Sequence, residues 1–319
     1  MRVGVIDCGT NTVRLLIADD ASAGQVGHDP YLADLVRVLR FVRLGQGVDA
    51  THRFHPDALA RTFAALDEFA ALIEQHGPLD GLRFLATSAA RDATNRDEFF
   101  AGVKARVGVD PEVISGGEEA RLSFLGALAG GNVPGGSVVV MDIGGGSTEL
   151  IRGDAAGAVA SAQSFDVGSV RLRERFLHDD PPTVGQIAAA RDYVASLVGG
   201  GDVPLDGVGT FIGVAGTNTS LSAMAQGLVT YDSMRVHNSS LTTGEISQLA
   251  GELLTSPVES VRARYPFLEP MRAEVICAGA LICDEVAQRV KNDMLVRETD
   301  ILDGAALDLL RRGGSPQLP

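Results

Sequence analysis

Residues 3–18, VGVIDCGTNTVRLLIA, and residues 138–151, VVVMDIGGGSTELI, carry the reading that decides the fold. Each is an apolar run that reaches an aspartate, passes through a glycine-bearing turn and resumes as a second apolar run. In the first copy the turn spans Asp7 to Thr12 and the second strand runs from Val13 to Ala18, a β-hairpin and not a strand-to-helix step. Setting Asp142 on Asp7 also aligns Gly144 with Gly9, Ser147 with Thr12, Leu150 with Leu15 and Ile151 with Leu16. Two half-molecules opening on the same hairpin are implied, and self-similarity at that spacing says more about architecture than any one motif.

Outward from the first hairpin, a polar loop at Ala21 to His28 precedes an alternating strand, LVRVLRFVR, at residues 35–43. Asp57 to His76 is predicted as a helix, with Leu59, Phe63, Leu66, Phe69 and Ile73 on one face and Gly77 as its stop. The run LRFLATSAARDA reads as strand, turn and helix start, and a helix follows from Gly117 with two carboxylates in its first turn. A linker rich in glycine at residues 130–136 leads to the second hairpin. Further helices are expected at Val184 to Val198, at Glu245 to Leu254 with a Thr242–Glu245 capping box, at Arg272 to Val290 and at Gly304 to Arg311. Strands and helices alternate in both halves, so the class is α/β.

Composition narrows the function. The chain has 319 residues and 45% apolar content, enough for about two domains. With 27 basic against 41 acidic residues the net charge is −14, which argues against a surface that wraps nucleic acid. An anionic substrate must then be held by local devices: backbone N–H groups, a metal and a few arginines. Lys104 and Lys291 are the only lysines, so nearly every cation is an arginine, which grips phosphate bidentately. Cys8, Cys277 and Cys283 show no metal-finger spacing and suit a reducing compartment. Asp7 falls where a signal peptide needs an apolar stretch, and no run approaches the ~18 apolar residues of a membrane span, so a cytoplasmic protein is expected.

The turns carry candidate chemistry. Asp7-Cys8-Gly9-Thr10-Asn11-Thr12 can aim N–H groups at a phosphate while Asp7 faces a metal, although such turns also join strands that bind nothing. Asp142-Ile143-Gly144-Gly145-Gly146-Ser147-Thr148 is sharper, because three consecutive glycines cost entropy and pack nothing. Something must approach that backbone closely, and a phosphate chain with Mg2+ on Asp142 fits. Neither a P-loop nor a dinucleotide fingerprint is present. A third turn, Gly213 to Ser220, opens a helical stretch and reads equally as an ordinary helix start or an anion site. Arg91, at a strand-to-helix junction, can clamp phosphate, and Glu118 or Glu119, at a helix start, can deprotonate water.

Taken in order, VIDCGTNTVRLL, ATSAARDATN, ISGGEEAR, MDIGGGSTEL, FDVGSVRL, AGALICDEV and DILDG resemble the motif series of the exopolyphosphatase and guanosine pentaphosphatase family over nearly the whole chain. The resemblance implies two duplicated ribonuclease H-like, actin-like ATPase domains with a cleft between them: residues 1–126 with a C-terminal helix at 302–319 packing back, and residues 127–301. It implies Glu119 as the base that activates water, Arg91 near the scissile group, and phosphate contacts at Asp7, Gly9, Thr10, Asn11, Thr12, Gly144, Gly145, Gly146, Ser147 and Thr148. Mg2+, or Mn2+, would sit on Asp142 and Asp7. Inorganic polyphosphate is the expected substrate and guanosine pentaphosphate the alternative, with neither nucleic acid nor membrane as partner and a homodimer as assembly. A small-molecule kinase or a noncatalytic sensor on the same fold are the readings from other classes.

Overall fold

The computed structural model describes residues 1–22, 31–131 and 133–313. Most of the loop expected at Ala21 to His28 and the last residues of the helix expected at 302–319 lie outside the described residues. In chain order the elements are β1 (Arg2–Cys8), β2 (Thr12–Asp20), β3 (Leu32–Phe41), α1 (Val48–Thr51), α2 (Pro56–Gln75), β4 (Gly81–Ala86), α3 (Ser88–Asp92), α4 (Arg96–Val107), β5 (Glu112–Val113) and α5 (Gly116–Ala129). There follow β6 (Ser137–Ile143), β7 (Thr148–Asp154), β8 (Val159–Phe165), α6 (Ser169–Phe176), α7 (Val184–Gly199), β9 (Thr210–Val214), α8 (Ala215–Ala225), α9 (Ser233–Val236), β10 (Ser240–Leu241), α10 (Thr243–Thr255), α11 (Val258–Arg264), α12 (Pro270–Ala273), α13 (Ile276–Val290), β11 (Met294–Val296) and α14 (Ile301–Arg311). They form two compact units, one of Met1–Ala129 with the segment from Ile301, the other of Gly130–Asp300.

In the first unit the sheet order is β3-β2-β1-β4-β5. The first three strands are antiparallel, and β4 and β5 join parallel to β1. Strand β1 is buried on both faces, as a central strand must be. Ile6 and Cys8 join a core with Leu66, Phe69 and Phe99 of α2 and α4. Val3 and Val5, one step out of phase, pack with Leu122 of α5 and with Ile301, Leu302 and Leu309 of α14. Asp7 continues that second face by the period-2 alternation of a strand, so it lies on the side of the sheet covered by α5.

The second unit repeats the plan with a sheet ordered β10-β11-β9-β6-β7-β8. Here β6, β7 and β8 are antiparallel neighbours and β9 and β11 run parallel beyond β6. Its large core unites Val139, Met141, Leu150 and Phe211 of the sheet with apolar residues of α7, α8, α10 and α13. The capping box at Thr242 and Glu245 is present, and its N-terminal hydrogen bonds account for the α10 boundary. The single helix expected over Arg272 to Val290 is instead two, α12 and α13, separated at Glu274 and Val275. The break leaves Arg272 beside α8, where its Nη1 donates to Gly216 O at 2.8 Å and to Ser220 Oγ at 3.0 Å. Among the described residues no helix is long and apolar enough to cross a membrane.

Helix α14 returns to the first unit and is fixed there by two kinds of contact. Asp308 accepts from Arg83 Nη1 at 3.1 Å and from Arg121 Nη2 at 3.0 Å, which ties α14 to β4 and α5. At Gly304 the helix meets the α5 backbone so closely that a Cβ would overlap Leu122 O and stand 3.0 Å from Gly126 N. Backbone cannot rotate away as a side chain can, so Gly304→Ala is expected to lower unfolding free energy by about 1–3 kcal/mol, read from the shift of the denaturant transition.

Candidate functional site

The two hairpin turns close in the same way. Gly9 N–H donates to Thr12 O at 2.9 Å and Gly144 N–H donates to Ser147 O at 3.0 Å. In both hairpins the residue facing the aspartate is seven positions on: Asp7 pairs with Arg14 and Asp142 with Glu149. Directly opposed residues of an antiparallel pair share a face, so each aspartate lies beside its partner's side chain.

What stands there differs. Arg14 reaches Asp7 Oδ2 through Nη2 at 2.6 Å and Nε at 3.1 Å, a charge-assisted contact that neutralises the carboxylate locally. Glu149 instead puts a second carboxylate next to Asp142; the two are 1% and 7% exposed, and Glu149 Oε1 accepts from Ser164 Oγ at 2.7 Å. Two opposed carboxylates repel, and a divalent cation offsets that repulsion. The sequence reading missed Glu149, because only the strand register shows that it faces Asp142.

The expected phosphate-contact residues fall into two groups. Gly9, Thr10, Asn11 and Thr12 form the first turn with Asp7 at its edge, and Gly144 to Thr148 form the second. In the second, Gly144 O accepts from Ser169 N, Gly145 O from Val170 N and Arg171 N, and Gly146 O from Arg171 Nε, at 3.0, 2.9, 3.1 and 2.8 Å. With carbonyls engaged on that side, the N–H groups of Gly145, Gly146 and Ser147 find no acceptor among the described residues. Adjacent N–H donors in a glycine turn make an anion-binding concavity. Thr148 is spent differently: its hydroxyl donates to Val167 O at 2.6 Å and braces the turn.

On the α5 side of the first sheet, the carboxylate pair Glu118 and Glu119 separates into two environments. Glu118 is held by Arg121 through bonds of 2.8 and 2.9 Å, and these keep its carboxyl below the usual range. Glu119 is buried and accepts from Arg91 Nη1 at 2.7 Å, while the same nitrogen donates to Ile114 O at 3.0 Å. Arg91, expected near the scissile group, is joined to Glu119, and α3 and α5 are tied by that contact. Cys8 is not a nucleophile in this setting, since burial and then the neighbouring Asp7 push its thiol well above its ordinary value. The third turn is the start of α8; Ala215 sits in the left-handed region at φ 66°, and Arg272 packs so closely on Gly216 that a side chain there would meet its guanidinium at 2.5 Å.

The family model of Ppx/GppA phosphatases matches residues 21–304. The chain belongs to this family. It is 43% identical over 320 residues to exopolyphosphatase 2 of Mycobacterium tuberculosis, covering 97% of this chain and 98% of that one. A solved exopolyphosphatase-like protein superposes with a TM-score of 0.90 at 39% identity, covering 98% and 99% of the two chains. The Ppx/GppA member of Aquifex aeolicus superposes at 0.81 with 30% identity over 98% of each chain. The Ppx/GppA protein described here is accordingly a hydrolase with the two-domain, actin-like ATPase fold of its structural neighbours.

The Arg91–Glu119 contact separates two roles for the arginine. If Arg91 works by orienting Glu119, Arg91→Ala lowers kcat by about 10- to 100-fold with KM nearly kept. Steady-state phosphate release measures this, and a raised KM with unchanged kcat would assign Arg91 to substrate instead.

Proposed function

We propose that this Ppx/GppA phosphatase is an exopolyphosphatase, releasing terminal phosphate from inorganic polyphosphate by attack of water. The observation that carries the reading is the second turn, where three glycines turn unmatched N–H groups outward beside a buried carboxylate pair. A terminal phosphoanhydride presents the dense negative charge that such donors complement. The full-length similarity to exopolyphosphatase 2 of Mycobacterium tuberculosis supports the choice of polyphosphate.

Glu119 is assigned as general base. Its carboxylate is fixed by Arg91, whereas Glu118 is engaged by Arg121 on the Asp308 side of α5. In the proposed reaction a water oxygen attacks the terminal phosphorus, its proton passes to a Glu119 oxygen, and the bond to the bridging oxygen breaks, leaving orthophosphate and a chain shorter by one unit. The N–H groups of the second turn hold phosphate oxygens and take up charge as it develops.

Mg2+ fits the donors of the second unit. Asp142 and Glu149 lie side by side, and among the described residues no group of three or more His, Cys, Asp or Glu side chains is placed to hold a metal unaided. Mg2+ is commonly bound by one or two carboxylates and completed by water and phosphate oxygens, so a carboxylate pair suits it. We assign the ion to Asp142 and Glu149 and leave Asp7 with the first turn, because Asp7 is already ion-paired to Arg14. Held by Asp142 and Glu149, Mg2+, or Mn2+ in its place, would supply Lewis-acid neutralisation of phosphate charge. A cytoplasmic setting and a homodimer belong to the same proposal through the family resemblance.

The test is phosphate release from medium-length polyphosphate, guanosine pentaphosphate and ATP in parallel, with and without EDTA. Polyphosphate cleavage is expected, with loss of at least about 1,000-fold in Glu119→Gln and in Asp142→Asn. Cleavage of the guanosine compound alone would keep the chemistry and change the substrate. Hydrolysis of none, with binding of ATP, would favour the kinase or the sensor.

A further inference from the structure

The motif FDVGSVRL, residues 165–172, has no role in the reaction as set out above, yet it donates to three carbonyls of the second turn and accepts from the Thr148 hydroxyl at Val167 O. It follows β8, the third strand of its unit. Backbone N–H groups of Ser169, Val170 and Arg171, at the start of α6, and Nε of Arg171 engage the carbonyls of Gly144, Gly145 and Gly146. The contact is also steric. A Cβ on Gly168 would lie 2.5 Å from the Gly145 carbonyl carbon, 2.6 Å from its oxygen and 2.7 Å from Gly146 N. Those neighbours are all backbone, so nothing but the turn itself can move.

The first unit carries the same device. After β3, its own third strand, Val42 and Arg43 donate to Asn11 O at 3.0 and 2.9 Å, and Gly45 donates to Thr10 O at 2.8 Å. Following the strand registers outward from Val13 opposite Arg40 and Thr148 opposite Phe165 makes Gly45 the counterpart of Val170, which donates to Gly145 O. Thr10 and Gly145 are themselves counterparts, so one hydrogen bond is conserved between the two halves. A Cβ on Gly45 would overlap the Thr10 side chain, so the approach is close here too.

We propose that the segments after the third strands, Val42 to Gly45 and Gly168 to Arg171, are positioning elements for the two phosphate turns. By occupying the turn carbonyls from one side they fix the peptide planes, and each fixed plane presents its N–H to the other side. The inference rests on the reading of these turns as phosphate-binding. A peptide that rotates loses a donor, and a misplacement near 1 Å can cost about 100-fold in rate.

Two variants test it. Gly168→Ala pushes on the Gly145 peptide. Ser169→Pro deletes both donors of Ser169 to Gly144 O, the backbone N–H at 3.0 Å and the hydroxyl at 3.3 Å, at the first position of α6, where proline is tolerated and the preceding Gly168 already has the extended backbone that proline requires (φ −142°, ψ 176°). Gly185→Ala, with open space around it, is the control. Polyphosphate hydrolysis, calorimetric affinity for inorganic tripolyphosphate with Mg2+, and thermal unfolding are measured on each. The expected result is a fall of about 10- to 100-fold in kcat/KM, and weaker tripolyphosphate binding, for both variants, with unfolding temperatures close to that of the parent and an unaltered control. A folded Gly168→Ala or Ser169→Pro protein with parental kcat, KM and tripolyphosphate affinity overturns the proposal. Should the parent hydrolyse no polyphosphate, the functional reading fails by itself, and the tripolyphosphate affinities still decide the positioning claim.

Discussion

The candidate site in each unit is built on a backbone hydrogen bond that closes a turn at the carboxyl end of a central strand, Gly9 N–H to Thr12 O in one unit and Gly144 N–H to Ser147 O in the other. A turn that is to bind an anion must leave N–H groups without internal acceptors, which is costly for a polar group near a core. The cost is offset by satisfying the carbonyls fully and by anchoring both flanks in paired strands. On the phosphate-binding reading, that requirement accounts for the tight hairpin and for the segment after the third strand bending back over the turn.

The same requirement explains what the sequence discloses and what it hides. A hairpin needs local signals, so the two copies at Asp7 and Asp142 are legible as apolar runs broken by glycine. Helices α2 and α10 are legible because one apolar face repeats at helical spacing and, in α10, because Thr242 and Glu245 form a local cap. The break between α12 and α13 is not legible, since no proline or glycine marks Glu274 and Val275; its visible correlate is a contact of Arg272 with Gly216, 56 residues away. Helix α6 escapes for a related reason. Its start at Gly168 is fixed by carbonyls of a turn more than 20 residues earlier, with no side-chain cap of its own.

For the candidate site the boundary between legible and hidden falls in the same place. Glycine turns, the carboxylate pair at residues 118 and 119, and Arg91 stand out by residue type and local position. The partners do not. That Arg91 meets Glu119, that Glu118 belongs to Arg121, and that Asp142 faces Glu149 are consequences of helix packing and strand register, which connect residues by geometry and not by spacing.

The position across from the hairpin aspartate carries opposite charge in the two units. Arg14 and Glu149 occupy the same place in the repeated hairpin, each directly across from the aspartate that ends the strand. In the first unit the pair is a cation beside an anion, with Arg14 Nε and Nη2 both on Asp7 Oδ2. In the second it is two carboxyl groups, buried and adjacent. On the proposed reading, having a glutamate instead of an arginine across from the matched aspartate is what would let the second turn take a metal beside phosphate.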